Sequence, residues 1–228
     1  MEDYLIRNAI INDIPFLAEA VIAAEKGRSD KLSYATLFNL TEAEVKELLI
    51  KIFEEEIEGC ELSLTSFLVA EFEGSPVAAV STWLECYNGT LPSALLKANL
   101  ILNTFEKKNI EFFKSKSHII KDILAEREPM TLQLEYMFVS NAHLGKALDA
   151  VLIKKSEERA IEIWPEVPKI QGQLFKNSIF AVMVLRKLGF DISKSYKAVH
   201  SEVLDFLPFN EKLLMEKRIR VSYSTPEV

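Results

Sequence analysis

The stretch NAHLGKAL, residues 141–148, has the residue types of a turn that could bind an anion. It follows LQLEYMFV, which favours a strand, and precedes LDAVLIKKSEERA, which favours a helix. The first turn of a helix presents unpaired backbone N–H groups and the positive end of the helix dipole. Gly145 lacks a Cβ, so a phosphate can approach the backbone closely there. Because many such turns bind nothing, the turn alone predicts either an anion site or a simple change of chain direction.

The composition excludes several classes of partner. The formal net charge of -7 disfavours nucleic acid, because phosphate contacts need clustered Lys and Arg. The run EEEIEGCE, residues 54–61, favours a solvated helix end, with attraction for a cationic substrate as the alternative. Cys60 and Cys86 form neither a metal-binding pattern nor a disulfide framework, so no metal is expected. The amino terminus lacks a signal-peptide pattern and no apolar run reaches the ~18 residues of a membrane span, so we expect a cytoplasmic protein without a membrane partner.

The first half of the chain predicts one strand, two helices and a hairpin. A strand in DYLIRNAI is followed by a helix that starts at Asp13 and ends at Gly27. Thr41 and Glu44 form a capping box at the start of the next helix. The segments SFLVAEF, EGSP and VAAVSTWLE then predict a hairpin. Residues 88–128 predict two inserted helices, the first of which is apolar enough to be buried or to form an interface.

The last third of the chain alternates strands with helices. Strands are predicted in LQLEYMFV, PKIQGQLF and SYKAVHSEVL. Helices are predicted in HLGKALDAVLIKKSEERAIE, NSIFAVMVLRKL and, last, FNEKLLMEKRI. This alternation predicts an α/β fold with a partly parallel sheet covered on both faces, which the early hairpin makes mixed. We expect one domain, 1–228, with a helical insertion at about 88–128.

The order strand, glycine turn, helix, strand, NSIFAVMVLRKLGF resembles the GNAT superfamily of acetyl-CoA-dependent N-acetyltransferases. The family pattern Q/R-x-x-G-x-G/A matches AHLGKA at Gly145 and Ala147 and departs from it at Ala142. A second register places Leu144, Ala147 and Asp149 at the three defined positions. The resemblance implies a mixed, mostly antiparallel central sheet with helices on both faces and a helical insertion between the third and fourth strands.

A later family pattern, N-x-x-A-x-x-x-Y-x-x-x-G-F, extends the resemblance. It is matched at Ala181, Gly189 and Phe190. Ser178 holds the Asn position, with Asn177 one residue earlier, and Leu185 stands where the family often has Tyr. The hairpin FLVAEFEGSPVAAV also looks like the front half of that family.

The resemblance implies acetyl-CoA as co-substrate and indicates which residues would hold it. Its pyrophosphate would be bound by the backbone N–H groups of His143, Leu144, Gly145, Lys146 and Ala147. Backbone groups of Met137 and Val139 would pair with the pantetheine arm. Asn177 or Ser178 would contact the same arm, although both residue types also favour helix caps.

Acetyl transfer needs a neutral amine, which a general base can provide. Strand alternation predicts two faces for LQLEYMFV: Leu132, Leu134, Tyr136 and Phe138 on one, and Gln133, Glu135, Met137 and Val139 on the other. The resemblance implies a carboxylate base on this strand, for which Glu135 is the candidate, with a rim position or a buried ion pair as the alternative. Because Leu185 cannot donate a proton to the leaving thiolate, Tyr136, Tyr196 or water is the candidate acid.

Trp83 and Tyr87 follow the second hairpin strand, where acceptor pockets tend to form in the family. They are candidates for holding an amine by cation–π contact, with core packing as the alternative. The leading hypothesis is therefore an N-acetyltransferase, monomeric or homodimeric, that acts on a small-molecule or peptide amine. The alternatives are a non-catalytic acyl-CoA-binding or regulatory module, and an interaction protein that has lost the cofactor.

Overall fold

The computed structural model describes residues 4–55 and 57–219, and in this part of the chain seven strands form one sheet. The strands are β1 Leu5–Asn8, β2 Phe67–Phe72, β3 Ser75–Leu84, β4 Leu132–Val139, β5 Lys169–Phe175, β6 Asp191–Lys197 and β7 Glu211–Arg218. Their order across the sheet is β1-β2-β3-β4-β5-β7-β6. Neighbours are antiparallel except β4 and β5, which are parallel. The sheet is therefore mixed and mostly antiparallel, as expected.

The helices cover both faces of this sheet. They are α1 Ile14–Lys26, α2 Ser33–Phe38, α3 Glu42–Glu54, α4 Ser93–Thr104, α5 Lys107–Ile120, α6 Leu148–Ile163, α7 Ile179–Lys187 and α8 Val203–Phe206. One apolar core packs the helices α1, α2, α3, α4 and α5 against the sheet. It includes Leu17, Leu49 and Phe67. A second core on the opposite face joins α6 and α7 to the sheet and includes Val80 and Leu152. The helices α4 and α5 lie between β3 and β4, so the predicted position of the insertion is confirmed.

Several predicted boundaries are confirmed because local hydrogen bonds define them. Thr41 accepts the N–H of Glu44, and the Glu44 carboxylate accepts the N–H of Thr41, so the capping box starts α3. Gly27 ends α1 with φ 54, a left-handed cap that suits glycine. Glu73 and Gly74 both have positive φ at the tip of the β2–β3 hairpin, as its short turn requires.

Two segments differ from the predictions. FNEKLLMEKRI, predicted as a final helix, contains the strand β7, which lies between β5 and β6. Leu213, Leu214 and Met215 are all buried there, and an apolar run covered on both faces has the same pattern in a strand as in a helix. The predicted strand SYKAVHSEVL ends earlier, since β6 stops at Lys197.

A bulge in β4 overturns the predicted faces of that strand. Tyr136 has φ 50, and the pairing with β3 shifts between Ala79 and Ser81. After the bulge, Tyr136 packs in the core that contains α1, whereas Met137 packs in the core that contains α6. Tyr136 and Glu135 therefore lie on the same side of the sheet, and Met137 on the other.

The inserted helices are only partly buried. In α4, Leu100 is buried, whereas Leu95 and Leu102 are about half exposed. In α5, Ile110 is buried, and the Asn109 side chain donates to the carbonyl of Phe38 in α2 at 2.8 Å. The insertion therefore rests on the helical layer formed by α2 and α3.

Candidate active site

A cleft opens where β4 and β5 separate. Their parallel pairing covers only Leu132–Leu134 and Ile170–Gly172. Beyond these residues β4 continues along β3 and β5 continues along β7, so a gap forms within the sheet. The cleft has a volume of about 870 Å³, and the predicted residues Met137 and Val139 line its β4 side. Strand edges that face such a gap keep backbone donors and acceptors available for a ligand.

The predicted anion-binding turn lies at the mouth of this cleft. Gly145 has φ 78 and Ala147 has φ 56, and Ala147 caps the start of α6. Among the hydrogen bonds between described residues, none uses the N–H of Gly145, Lys146 or Ala147. His143, Leu144, Gly145 and Ala147 line the cleft. Lys146 is exposed beside it.

Two other side chains at the mouth of the cleft already form hydrogen bonds within the protein. The Asp149 carboxylate accepts the N–H of Ala150 at 2.8 Å, which leaves the N–H groups that precede it for a ligand. Nδ1 of His143 lies 2.9 Å from the Tyr4 hydroxyl, so the ring is held against the end of the sheet. The backbone N–H of His143 is engaged as well, since it donates to the carbonyl of Ser140 at 2.9 Å, and the N–H of Leu144 donates to the carbonyl of Asn141 at 3.4 Å. Of the five N–H groups predicted for the pyrophosphate, those of Gly145, Lys146 and Ala147 are therefore the available ones.

The opposite wall is formed where α1 ends and α7 begins. Asn177 and Ser178 both line the cleft, as predicted for contacts with a pantetheine arm. Ser178 precedes α7, but no capping bond from its hydroxyl occurs within the described part of the chain. A Cβ on Gly27 would come within 3.3 Å of the Ser178 Oγ, so this glycine lets the two helix ends approach closely. Leu185 also lines the cleft and offers no proton donor.

Glu25 is a functional candidate that the sequence analysis missed. It lies in the last turn of α1, is partly exposed, and lines the cleft together with Tyr136. Burial raises the pKa of Glu25, an effect that Glu135 reinforces and that Lys212 opposes. The available signal was helical spacing, because Glu25 shares a face with the buried residues Ala18 and Val21. A carboxylate on an apolar stripe is the kind of group whose pKa burial can tune toward catalysis.

Tyr136 and Tyr34 meet at the inner end of the cleft. Their hydroxyl oxygens are 3.1 Å apart, and both rings are buried. Burial raises the pKa of each phenol above its usual range, so both keep their protons at neutral pH. Tyr136 can therefore donate a hydrogen bond into the cleft.

Glu135 is held in an ion pair. Its carboxylate accepts from Arg127, whose guanidinium also donates to Glu61 at 2.8 Å. Lys97 of α4 pairs with Glu61 as well, at 2.5 Å. Glu61 was expected to be solvated with the rest of residues 54–61, but its side chain is fully buried. The strand carboxylate therefore belongs to a buried network of charges, although it also lines the cleft.

Trp83 and Tyr87 lie outside the cleft. The Trp83 indole N–H donates to Glu85 at 2.8 Å, and the Arg127 guanidinium lies 5.0 Å from the Trp83 ring. The Tyr87 hydroxyl donates to the carbonyl of Ile163 at 3.2 Å, and its ring packs near Trp164. The structure therefore does not bring these two residues together with the other predicted site residues.

Within residues 4–55 and 57–219, no cluster of three or more His, Cys, Asp or Glu side chains could hold a metal ion. A helix long and apolar enough to cross a membrane is also absent from these residues.

Solved acetyltransferase structures share this fold. An N-acetyltransferase from Staphylococcus aureus Mu50 has a TM-score of 0.63 at 14% identity, over 93% of this chain and 100% of that one. A Drosophila melanogaster polyamine N-acetyltransferase, described as forming N-acetylagmatine, has a TM-score of 0.56 at 12% identity, over 95% and 100%. A Salmonella typhimurium structure, described as a putative acetyltransferase with its cofactor acetyl-CoA, has a TM-score of 0.53 at 13% identity, over 99% of both chains.

No protein-family model and no curated protein matches the sequence. The chain nevertheless shares the fold of these acetyltransferase structures, so the predicted fold class is confirmed and the resemblance holds at the level of the fold. Because identities this low show the fold alone, the activity must be argued from the site itself.

Proposed function

We propose that this protein is an N-acetyltransferase that moves the acetyl group of acetyl-CoA to a primary amine of a small molecule or peptide. The observation that carries the proposal is the continuous cleft between β4 and β5. It joins the available N–H groups at the start of α6 to Glu25 and Tyr136 at its inner end. Structures of the same fold are described as acetyltransferases, one of them with acetyl-CoA bound, which supports this choice.

The residues present fit acetyl-CoA. The N–H groups of Gly145, Lys146 and Ala147 suit the pyrophosphate, because they stand unpaired at the positive end of a helix. The β4 edge at Met137 and Val139 suits the amide groups of the pantetheine arm. When bound, acetyl-CoA supplies an activated acetyl group as a thioester.

Glu25 is better placed than Glu135 to accept the proton of the amine. The Glu135 carboxylate is tied to Arg127, whereas Glu25 faces the cleft with a raised pKa that burial produces. A raised pKa strengthens a carboxylate as a base toward an amine that must lose its proton. As the amine nitrogen forms its bond to the acetyl carbon, the carbon–sulfur bond breaks and sulfur leaves with the electron pair. The proton of the amine passes to Glu25, and Tyr136 can donate a hydrogen bond to the departing thiolate.

One observation favours the second candidate function, a non-catalytic acyl-CoA-binding or regulatory module. Leu185 is buried at the cleft wall where the family often has Tyr, so that position supplies no acid. The two functions share the cofactor and differ in turnover, which makes them separable by experiment.

The test measures acetyl-CoA binding and turnover separately. We expect acetyl-CoA to raise the Tm, because a ligand that binds only the folded state stabilises it. With an amine panel, CoA release should occur, and Glu25→Gln should lower kcat by roughly 10²–10⁴, the usual contribution of a general base. Stabilisation by acetyl-CoA without turnover of any amine would instead establish the binding module.

A matched control is Glu19→Gln, because Glu19 lies on the same helix but at the surface, paired with Lys46. Its kcat should equal that of the wild type. Since the pKa of Glu25 is raised in the folded state, ionising it costs stability as pH rises through that pKa. Glu25→Gln should therefore melt at the same or a higher temperature at neutral pH, which separates lost catalysis from unfolding.

A further inference from the structure

Glu135, which lines the cleft, and the buried Glu61 behind it are already paired with cations. Glu61 pairs with Lys97 at 2.5 Å and with Arg127 at 2.8 Å. Glu135 shares the Arg127 guanidinium. Glu61, Lys97, Arg127 and Glu135 thus form one network of ion pairs, in which two carboxylates face two cations. Lys97 and Arg127 come from the insertion. A second cation that enters with a substrate therefore finds neither Glu61 nor Glu135 available.

Five charged side chains that line the cleft stand outside this network: Glu25, Lys26, Arg28, Asp149 and Lys212. Lys26 pairs with Glu42, the Asp149 carboxylate accepts the N–H of Ala150, and the Arg28 guanidinium lies 5.1 Å from the centre of the Phe180 ring in α7.

Within the described residues, neither Glu25 nor Lys212 belongs to an ion pair. The Lys212 ammonium lies 5.0 Å from the centre of the Phe175 ring, which packs edge-on against Phe209 at 5.6 Å. The Lys212 ammonium therefore lies over an aromatic surface that Phe175 and Phe209 form.

Glu25 and Lys212 act on each other across the cleft. Burial raises the pKa of Glu25, and Lys212 opposes that rise more than any other charged group. Phe175 and Tyr136 belong to the same apolar core, and both line the cleft together with Glu25 and Lys212. The acceptor end of the cleft thus presents one base and, beside it, one cation without a partner.

We propose that the acceptor is a small amine that also carries an acidic group, with its amine facing Glu25 and its carboxylate bound by Lys212. This inference rests on the proposed acetyl transfer. An amine with a carboxylate complements both free charges of the site. A polyamine of similar size would bring its second cation toward Lys212, and like charges brought together in a partly buried site disfavour binding.

The experiment compares amine acceptors that share a carbon skeleton and differ in the group at the end opposite the reacting amine. For each of several chain lengths, a carboxylate-terminated amine, an alkylamine and a diamine are assayed, as with δ-aminovalerate, n-pentylamine and cadaverine. We expect the highest kcat/KM for the carboxylate member, by about tenfold or more, since a hydrogen bond to a charged group is of that order. Lys212→Gln should abolish this preference, and Lys212→Glu should shift it toward the diamine.

Lys194→Glu is the matched control. Its ammonium also lies over an aromatic ring, 4.7 Å from the centre of Tyr196, but on the exposed strand β6. It should leave the preference unchanged. A preference for diamines in the wild type, or an unchanged preference in Lys212→Glu, would overturn the inference while the transferase activity stands. Absence of turnover with every amine would overturn the proposed function and this inference with it.

Discussion

At the scale of residues, three glutamates differ in role because their neighbours differ. Glu135 lies on the strand where the resemblance implies a base, yet Arg127 holds it in an ion pair. Glu25 lines the cleft and has no ion-pair partner among residues 4–55 and 57–219. Glu61 is fully buried between two cations. What the fold places beside a glutamate therefore decides whether its carboxylate is unpaired, shared or held as a buried anion.

Glu61 should make the free energy of unfolding depend on pH in the acidic range. Burial alone would raise the pKa of Glu61, but Lys97 and Arg127 lower this pKa from 4.5 to about 2. A depressed folded-state pKa contributes stability above pH 4.5, and that stability is lost as pH falls toward about 2. Glu61→Gln should cost about 3–5 kcal/mol in the free energy of unfolding at pH 7, because it leaves Lys97 without its counter-charge and Arg127 with Glu135 alone.

Urea denaturation between pH 7 and pH 3 measures this effect, and the gap between wild type and Glu61→Gln should narrow below about pH 4.5. Glu47→Gln, a change at an exposed position of α3, should follow the wild type throughout. A gap that stays constant with pH would show that Glu61 is not ionised in the folded protein.

At the scale of elements, the cleft depends on how strands and helices end. The bulge at Tyr136 turns its ring to the face of the sheet that α1 covers, and the separation of β4 from β5 leaves both strand edges available. The walls at the mouth are the first residues of α6 and α7, where backbone N–H groups are unpaired. Ser178 stands at one of these starts without capping it, in the part of the chain described by the structure.

The Ser178→Ala variant distinguishes a helix-capping role of this serine from a role in binding acetyl-CoA. A lost helix cap would cost about 1 kcal/mol of stability. Since the hydroxyl makes no capping bond, we expect a loss below about 0.5 kcal/mol by urea denaturation. Calorimetric affinity for acetyl-CoA should fall by roughly tenfold, the value of a lost hydrogen bond near the upper end of the usual range.

Ser115→Ala is the control for this change, because Ser115 lies on the exposed side of α5 and bonds only to its own helix. Its affinity for acetyl-CoA should match the wild type. An unfolding free energy lowered by about 1 kcal/mol with unchanged affinity would identify Ser178 as a cap and not a ligand.

At the scale of the whole molecule, one sheet separates two cores and belongs to both. In β2, Phe67 and Val69 pack with the core of α1, whereas Leu68 and Ala70 pack with the core of α6. The insertion is tied to the sheet side by the pair Lys97–Glu61 and by Arg127, which pairs with Glu135 of β4. Loss of either layer would expose one face of the sheet.

A single domain over residues 1–228 stays a prediction, which the sheet shared by both cores supports. Differential scanning calorimetry should show one transition whose calorimetric and van't Hoff enthalpies agree. Acetyl-CoA should shift that transition as a unit. Two transitions, or a calorimetric enthalpy well above the van't Hoff value, would show that the insertion or one layer unfolds independently. Cytoplasmic location and the monomeric or dimeric state stay predictions.

The sequence by itself determined the features that near neighbours control. Thr41 and Glu44 are three positions apart, so their capping box could be predicted, and the same holds for the hairpin at Gly74 and the turn at Gly145. The order of these elements, with the motif around Ala181, was sufficient to predict the fold. Hydrophobic periodicity is a local property, and it survives where identity to known structures falls to about one residue in seven.

Only the tertiary structure decided which charged groups are paired and which line the cleft unpaired. The pairing of Glu135 with Arg127 and the convergence of Glu25 with Lys212 depend on segments far apart in the chain. The strand β7 was missed because burial on both faces removes the alternation that distinguishes a strand from a helix. A charge is tuned by the groups around it in space, whereas periodicity records only which way a side chain points along its own element. The sequence therefore predicted where the cleft lies, and the folded chain decided which carboxylate is free to act in it.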